Sequence, residues 1–317
     1  MSKPKRPAFT LVELLVVVVI IGMLVAMLLP AVVGARARAR QTQCQNNQHE
    51  LGLAVLQYET QKNHFPGYLN RFGASTKPLN WCMVLLPYLG RNDLWQDLMA
   101  GTPINPTLRV TQFLCPDDQG VGKTLSYVAN CGRVDPLPGF PGTVPTWDLP
   151  FNGVFHNLFG VQNGQTITYF TRPRMTASDV KDGAQQTLLF SENIDNSQAA
   201  QPASWLYNVA DRTSEQMLGM MWWHPVAYNG SADEWWLTPP SDPCWIINQC
   251  KEAAQYPRPA SNHTSGVVVT FCDGHQQFLS ERIWYYTYQQ LMTPDDTKAA
   301  FAPAAPQFVP GTDPEIQ

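Results

Sequence analysis

The chain has 317 residues, a formal net charge of −4 and a pI near 5.8. Its 21 lysine and arginine residues face 25 aspartate and glutamate residues, so it lacks the basic surplus that is typical of nucleic-acid binding. Charged residues make up only 15 % of the chain while prolines number 27, which predicts a loop-rich domain and not a compact helical enzyme.

The first predicted element is an apolar helix near the amino terminus. Residues 14–35 form a run without charge. A helix of that length spans roughly 33 Å, enough to cross a bilayer core of about 30 Å. Glu13 stands at the start of this run, where a carboxylate is costly and therefore marks a functional position. We predict a basic leader at residues 1–8 and a single membrane-spanning helix at residues 9–35.

The helix is predicted to continue outside the membrane over residues 36–62, making a rod of roughly 80 Å in total. Four apolar residues recur at three- and four-residue spacing and indicate a stripe that faces a core: Leu51, Ala54, Val55 and Tyr58. Polar residues are assigned to much of the remaining surface, among them Gln41, Gln45, Gln48 and Glu59. Helix-breaking residues at 63–67 end the rod.

The remaining chain is predicted to form a globular head at residues 63–293. Short helices are expected at 81–89, 92–99 and 282–292, strands at 125–130, 165–172 and 187–191, and an extended piece that runs into a turn at 113–118. The clearest element is a β-hairpin over 266–280 that turns at Asp273-Gly274. Residues 294–317 are rich in Pro, Ala and Asp and are predicted to be disordered. The fold class is therefore α+β, with a long helix packed on a mainly antiparallel head.

The seven cysteines suit an oxidising compartment. They show no Cys-x-x-Cys spacing, which argues against a structural zinc site. Two candidate disulfides are Cys44 with Cys115, which would tie the helix to the head, and Cys244 with Cys250, which would be local. The alternative is a set of free buried thiols, because sequence does not give connectivity.

The amino terminus resembles the class III signal of type IV prepilins and type II secretion pseudopilins. It carries the basic leader, Phe9, Glu13 and Pro30 at that family's spacing. The resemblance implies that prepilin peptidase cuts between Ala8 and Phe9 and that the new amine is methylated. The family usually has Gly where this chain has Ala8, so we expect slower cutting. Glu13 would pair with the Phe9 amine of a neighbouring subunit, and Pro30 matches the family's helix-bending proline.

The head resembles a large bacterial family of unknown function that joins a prepilin-type amino terminus to a His-x9-Asp-Gly motif. Here the motif consists of His263 and Asp273-Gly274. Further matching pieces are Cys44-Gln45-Asn46-Asn47, Phe65-Pro66-Gly67 and Phe113-Leu114-Cys115-Pro116. The family's biochemical role is not established, so this resemblance implies a domain type and not a mechanism.

We interpret the His-x9-Asp-Gly motif as structural. Asp273-Gly274 supplies the backbone conformations of a tight turn, and His263 could donate to a backbone carbonyl. The alternatives are a metal site or a catalytic pair. Asp117 and Asp118 offer oxygen ligands of the kind calcium prefers, but adjacent aspartates in a turn are more often simply solvated. We therefore expect no metal and no cofactor.

Six tryptophans fall within a short part of the head: Trp205, Trp222, Trp223, Trp235, Trp236 and Trp245. The favoured interpretation is a satellite core beneath Pro-rich loops. The alternative is an aromatic platform that binds an envelope glycan or a protein partner. The sequence contains no nucleophile elbow, phosphate-binding loop or His-Glu-x-x-His motif, so we propose no catalytic residue.

Together these features predict a pilin-like structural subunit and not an enzyme. The resemblance implies an inner-membrane, single-pass protein with its head in the periplasm or extracellular space. Its expected partners are prepilin peptidase, other pilin-like subunits or further copies of itself, and the membrane, but not nucleic acid. The fibre would be pilus-like or a type II secretion pseudopilus. The alternative function is a membrane-anchored binding module for glycans or proteins that does not polymerise.

Overall fold

One long helix dominates the computed structural model of this chain. Helix α1 comprises the 52 residues of Leu11–Lys62 and is therefore about 78 Å long. It is long and apolar enough to cross a membrane. Asn63 ends it in the left-handed conformation, with φ of 58°, and donates its N–H to the Glu59 carbonyl at 2.7 Å.

The structure describes residues 11–73, 77–118, 120, 122–133, 153–163, 166–169, 174–194, 203–206, 218–222, 247–248 and 259–295. The predicted leader, the predicted tail from residue 296 onward and most of the tryptophan-rich segment lie outside these residues.

The two halves of α1 have different surroundings. From Leu11 to Arg40 every residue of the helix is exposed. The second half is buried along one face against the head, and its buried residues are Cys44, Asn47, Gln48, Leu51, Gly52, Ala54, Val55 and Tyr58. The predicted apolar stripe is confirmed. The assignment of Gln48 to the polar surface was wrong, because Gln48 lies on the same face as Cys44, Leu51 and Val55.

The first part of the head contains short elements that pack beside α1. Strands β1 (Leu69–Asn70) and β2 (Leu79–Asn80) pair antiparallel. Helices α2 (Trp81–Leu85) and α3 (Asn92–Ala100) flank a 3-10 turn at Leu86–Leu89, and further 3-10 turns lie at Thr111–Phe113 and Ala177–Asp179. Of the segment predicted to be extended and then to turn at 113–118, Phe113 ends a 3-10 turn, Leu114 is extended and a turn follows at 116–117.

A five-stranded sheet forms the centre of the described part of the head. Its strands are β3 (Tyr127–Arg133), β6 (Leu188–Glu192), β7 (Gly219–Trp222), β8 (Gly266–Phe271) and β9 (Gln276–Ser280). The spatial order is β7-β3-β6-β8-β9, and the β3–β7 pair is parallel while the other pairs are antiparallel. A separate antiparallel pair consists of β4 (Gly160–Asn163) and β5 (Thr166–Tyr169).

The predicted β-hairpin is confirmed, with Val267 opposite Leu279 and Val269 opposite Gln277. Side chains alternate between the faces of a strand, so successive valines of β8 enter different cores. Val268 joins the core that includes α1, whereas Val267 and Val269 join a second core. Helix α4 (Tyr285–Met292) covers that second core with Tyr288, Leu291 and Met292. The α+β class with a long packed helix is therefore what the structure has.

The first core is built around the indole ring of Trp81, which is fully buried. Its ring centroid lies 4.9 Å from that of Phe190 and 6.0 Å from that of Phe113. The indole N–H donates to the Leu218 carbonyl at 2.9 Å, so this buried polar group is satisfied. The aromatic cluster joins α2 and the Thr111–Phe113 turn to strand β6, and the buried face of α1 packs in the same core.

Candidate functional site at the helix–head junction

Two of the three residues assigned to assembly, Glu13 and Pro30, lie on the exposed half of α1. Glu13 occupies its first turn, and Pro30 stands inside the helix, which continues on both sides of it. Both side chains are exposed in the isolated chain. Ala8 and Phe9, the residues of the proposed processing site, lie outside the described residues.

A disulfide joins the buried half of α1 to the head. It links Cys44 of the helix to Cys115 in the loop after the Thr111–Phe113 turn, with a Cα–Cα distance of 5.1 Å and a sequence separation of 71 residues. Both sulfurs belong to buried residues. Cys244 and Cys250 lie outside the described residues, Cys82 and Cys272 are free buried thiols, and Cys131 is also buried.

His263 lies beside this disulfide and contacts two carboxylates. Its Nδ1 lies 3.0 Å from Asp117 Oδ2, and its Nε2 lies 3.1 Å from Glu192 Oε1. The same Nε2 lies 3.5 Å from Cys115 Sγ. The expected hydrogen bond from His263 to a backbone carbonyl was therefore wrong: the fold brings two acidic side chains from distant segments to this imidazole.

The carboxylates determine the charge state of the imidazole. Burial by itself lowers the pKa of His263, but the bond to Glu192 and the negative charge of Asp117 outweigh it, so the net shift is upward. Burial raises the pKa of Glu192, and its bond to His263 opposes that shift. Arg40 of α1 forms an ion pair with Asp117. The cluster thus links the helix, the loop at 115–118, strand β6 and the turn before β8.

The Asp273-Gly274 end of the motif contacts the same helix. Gly274 has φ of +89°, a conformation that glycine adopts without strain. The Asp273 carboxylate accepts the His275 backbone N–H at 3.0 Å and fixes the turn. A Cβ added at Gly274 would lie 3.1 Å from Leu56 Cδ1, and one added at Gly52 would lie 3.5 Å from Gly274 Cα. Two glycines therefore allow the hairpin turn to approach α1 closely.

Gln48 connects α1 to strand β8, which lies between His263 and Asp273 of the motif. Sequence reasoning missed this role. Its Nε2 donates to the Val268 carbonyl at 2.8 Å, and its Oε1 accepts from Thr270 Oγ1 at 2.9 Å. On the neighbouring helix position, Asn47 donates to the Leu114 carbonyl at 2.8 Å. The spacing in the sequence could have indicated that Gln48 is buried, because residue 48 follows Cys44 by four positions and precedes Leu51 by three, which places all three on one face of the helix.

The aspartates considered for calcium contact protein cations. Asp117 is engaged by His263 and Arg40, and Asp118 Oδ2 lies 2.8 Å from Lys123 Nζ in a buried ion pair. Of the tryptophans, Trp205 is fully buried and its indole N–H donates to the Leu108 carbonyl at 2.8 Å. The backbone of Trp222 belongs to β7, while Trp223, Trp235, Trp236 and Trp245 lie outside the described residues.

Three comparisons relate the chain to known proteins. The sequence model described as "Protein of unknown function (DUF1559)" matches residues 34–283, and that described as "Prokaryotic N-terminal methylation motif" matches residues 3–29. The type IV major pilin protein PilA of Myxococcus xanthus (strain DK1622) is 33% identical over 70 residues, which are 22% of this chain and 32% of that protein. The chain thus matches about a third of the length of this curated relative. No solved structure matches the chain.

Proposed function

Because the chain belongs to the DUF1559 family of proteins of unknown function, and because its amino terminus carries the prokaryotic methylation motif, we propose that this pilin-like subunit is processed by prepilin peptidase and assembles into a fibre. The fibre is pilus-like or a type II secretion pseudopilus. The protein's role is structural and not catalytic. Residues 1–8 are the leader, 9–35 the membrane helix, 36–62 its extension, 63–293 the head and 294–317 the tail.

The observation that carries this proposal is the contrast between the two halves of α1. The large apolar side chains of residues 11–33 are exposed around the whole helix, whereas the face from Cys44 to Tyr58 is buried in the head. A helix that is apolar on all sides requires lipid or other apolar helices around it. A pilin-like life cycle supplies both, first the inner membrane and then the core of a fibre.

The second half of α1 would serve the fibre by fixing the orientation of the head on the helix. The Cys44–Cys115 disulfide, the His263 cluster and the Gln48 contacts hold the head in one orientation on the helix. When helices pack side by side, that fixed joint would place every head at the same angle on the outside of the fibre. Peptidase, fellow subunits and membrane are the partners that this function requires.

Mass spectrometry of the protein from its native membrane tests the processing step. We expect a mature chain that starts at N-methylated Phe9 and lacks residues 1–8. A chain that retains Ala8 and its leader would refute processing, because the Phe9 amine would then never form.

Substitution of Glu13 tests assembly. The Glu13→Ala and Glu13→Gln variants should insert in the membrane normally but fail to form fibres, because the neighbour's Phe9 amine would lack its carboxylate partner. Glu50→Ala, which removes an exposed carboxylate from the extension of the same helix, is the matched control. Normal fibres from the Glu13 variants would refute the pairing. A processed wild-type protein that forms no fibre would favour the anchored binding module instead.

A further inference from the structure

The Cys44–Cys115 disulfide is surrounded by further groups that can ligate a metal. One ligand atom from each of Cys44, Cys115, Glu192 and His263 lies within 4.8 Å of each of the others, and all four residues are buried. They come from α1, the loop after the Thr111–Phe113 turn, strand β6 and the turn before β8. The absence of Cys-x-x-Cys spacing argues against a zinc site formed by residues close together in sequence. These four residues are separated from one another by 71 residues or more along the chain, and the fold brings them together.

The ring of His263 is oriented as a metal ligand would be. Asp117 binds Nδ1 at 3.0 Å, which leaves Nε2 directed at Glu192 and at Cys115 Sγ. A carboxylate on the far nitrogen of a ligating histidine fixes its tautomer and raises its basicity, and it is the usual outer partner in zinc sites. Glu192 is held in the same way, because its Oε2 accepts the Val268 backbone N–H at 2.9 Å and Oε1 remains directed at His263.

We propose that the dithiol form of this cluster binds one Zn²⁺ through Cys44 Sγ, Cys115 Sγ, His263 Nε2 and the Glu192 carboxylate. Two sulfurs, one imidazole nitrogen and one carboxylate oxygen are a donor set that zinc accepts in tetrahedral geometry. Hard cations such as calcium prefer oxygen ligands and suit this set poorly. The same two sulfurs form either the disulfide or the zinc bonds, so the two links exclude each other.

The conversion requires a two-electron reductant, which in the cell would be a dithiol. That dithiol gives two electrons and two protons to the Cys44–Cys115 bond and becomes a disulfide itself, leaving two thiols on the chain. Zn²⁺ then displaces both thiol protons, and a proton on His263 Nε2 is released to solvent. Two thiolates and one carboxylate give the occupied site a net charge of −1, and the adjacent Arg40–Asp117 ion pair adds none.

A cavity lies against the Cys115 side of the disulfide. It has a volume of about 570 Å³ and is lined by Cys115 and by the polar side chains of Asn47, Arg109 and Asp118. Zinc in the cluster would keep α1 attached to the head after reduction. The link between α1 and the head would thus persist both before an oxidising environment closes the disulfide and after a reductant opens it.

Zinc stoichiometry of the full-length chain in detergent tests the proposal. The chain is reduced with a phosphine, stripped with a chelator, desalted without oxygen and titrated with Zn²⁺, with bound metal counted by native mass spectrometry. We expect one zinc more per reduced chain than per oxidised chain. Titration with Co²⁺ should show thiolate-to-metal charge-transfer absorption in the reduced chain.

Four variants separate this site from binding elsewhere. Cys44→Ser and His263→Gln should each lose the additional zinc, and circular dichroism establishes whether each still folds. Asp117→Asn, which touches no metal, should weaken zinc binding by about 10–100-fold. Cys82→Ser removes a buried free thiol outside the cluster and should bind zinc as the wild type does. Equal zinc in oxidised and reduced wild type, or full binding by reduced Cys44→Ser, would overturn the proposal.

Discussion

Opening the Cys44–Cys115 disulfide should lower the free energy of unfolding of the head by about 4 kcal/mol. The bond closes a loop of 71 residues. For a loop of this length, the chain-entropy relation assigns the unfolded state about 15 cal/mol/K less entropy, or about 4.4 kcal/mol at 25 °C. Domains are typically stable by only about 5–15 kcal/mol, so this single link is a large share of the total.

The assay is urea unfolding of the full-length chain in detergent, followed by tryptophan fluorescence, with and without a phosphine reductant. A chelator is present throughout, because zinc would stabilise the reduced form. The control is the double variant Cys44→Ala with Cys115→Ala, which cannot form the bond. Reductant should destabilise the wild type by about 4 kcal/mol more than it destabilises the double variant, equivalent to a Tm difference of about 8–16 °C.

The comparison with the double variant isolates this bond from any other disulfide in the chain. If reductant affects both proteins equally within about 1 kcal/mol, the cross-link does not stabilise the head and the entropy calculation is wrong. A fall well above about 5 kcal/mol would mean that the reduced thiols also disrupt the buried His263 cluster.

Three further predictions concern the junction and the core. Gln48→Ala should cost about 2 kcal/mol in urea unfolding, because the buried Val268 carbonyl and Thr270 hydroxyl lose their partner; the exposed Gln57→Ala should change stability by less than about 0.5 kcal/mol, and equal effects would contradict the role of Gln48. Gly274→Ala should cost about 1 kcal/mol more than Gly90→Ala, because both positions have positive φ but only Gly274 would place its Cβ against Leu56; equal costs would refute the close approach to α1. Burial lowers the pKa of His156 to about 4 from its usual 6.5. Its folded-state pKa lies below its unfolded value, so its contribution is complete above pH 6.5 and is lost as the pH falls toward 4. Relative to His156→Asn, the free energy of unfolding of the wild type should therefore decline by up to about 1.4 kcal/mol per pH unit in that window, and a constant difference would contradict the effect of burial.

The local elements of this chain could be predicted because their signals lie within a few residues. An uncharged run from residue 14 to 35 has no stable state as an exposed loop, so it specifies a membrane-length helix. Spacing of three and four residues specified the stripe from Leu51 to Tyr58, and Asp273-Gly274 between two β-rich segments specified the hairpin. In each case hydrogen bonding and side-chain direction repeat with a period that the sequence itself displays.

The candidate site depends on contacts that no local period reveals. His263 lies 148 residues from Cys115 and 71 residues from Glu192, yet its ring contacts both. Only the pairing of β6 with β8, together with the packing of α1 on the sheet, brings these groups to one place. Gln48 was misassigned for the same reason, because a glutamine is normally solvated unless the tertiary fold supplies buried partners.

The sequence by itself therefore determined a membrane-length helix, its head-facing stripe and the family to which the head belongs. The sequence offered Cys44 with Cys115 as one candidate link between head and helix, but only the tertiary structure decided how the two are joined, since charge pairing and disulfide formation act over a few ångströms in space whatever the distance along the chain.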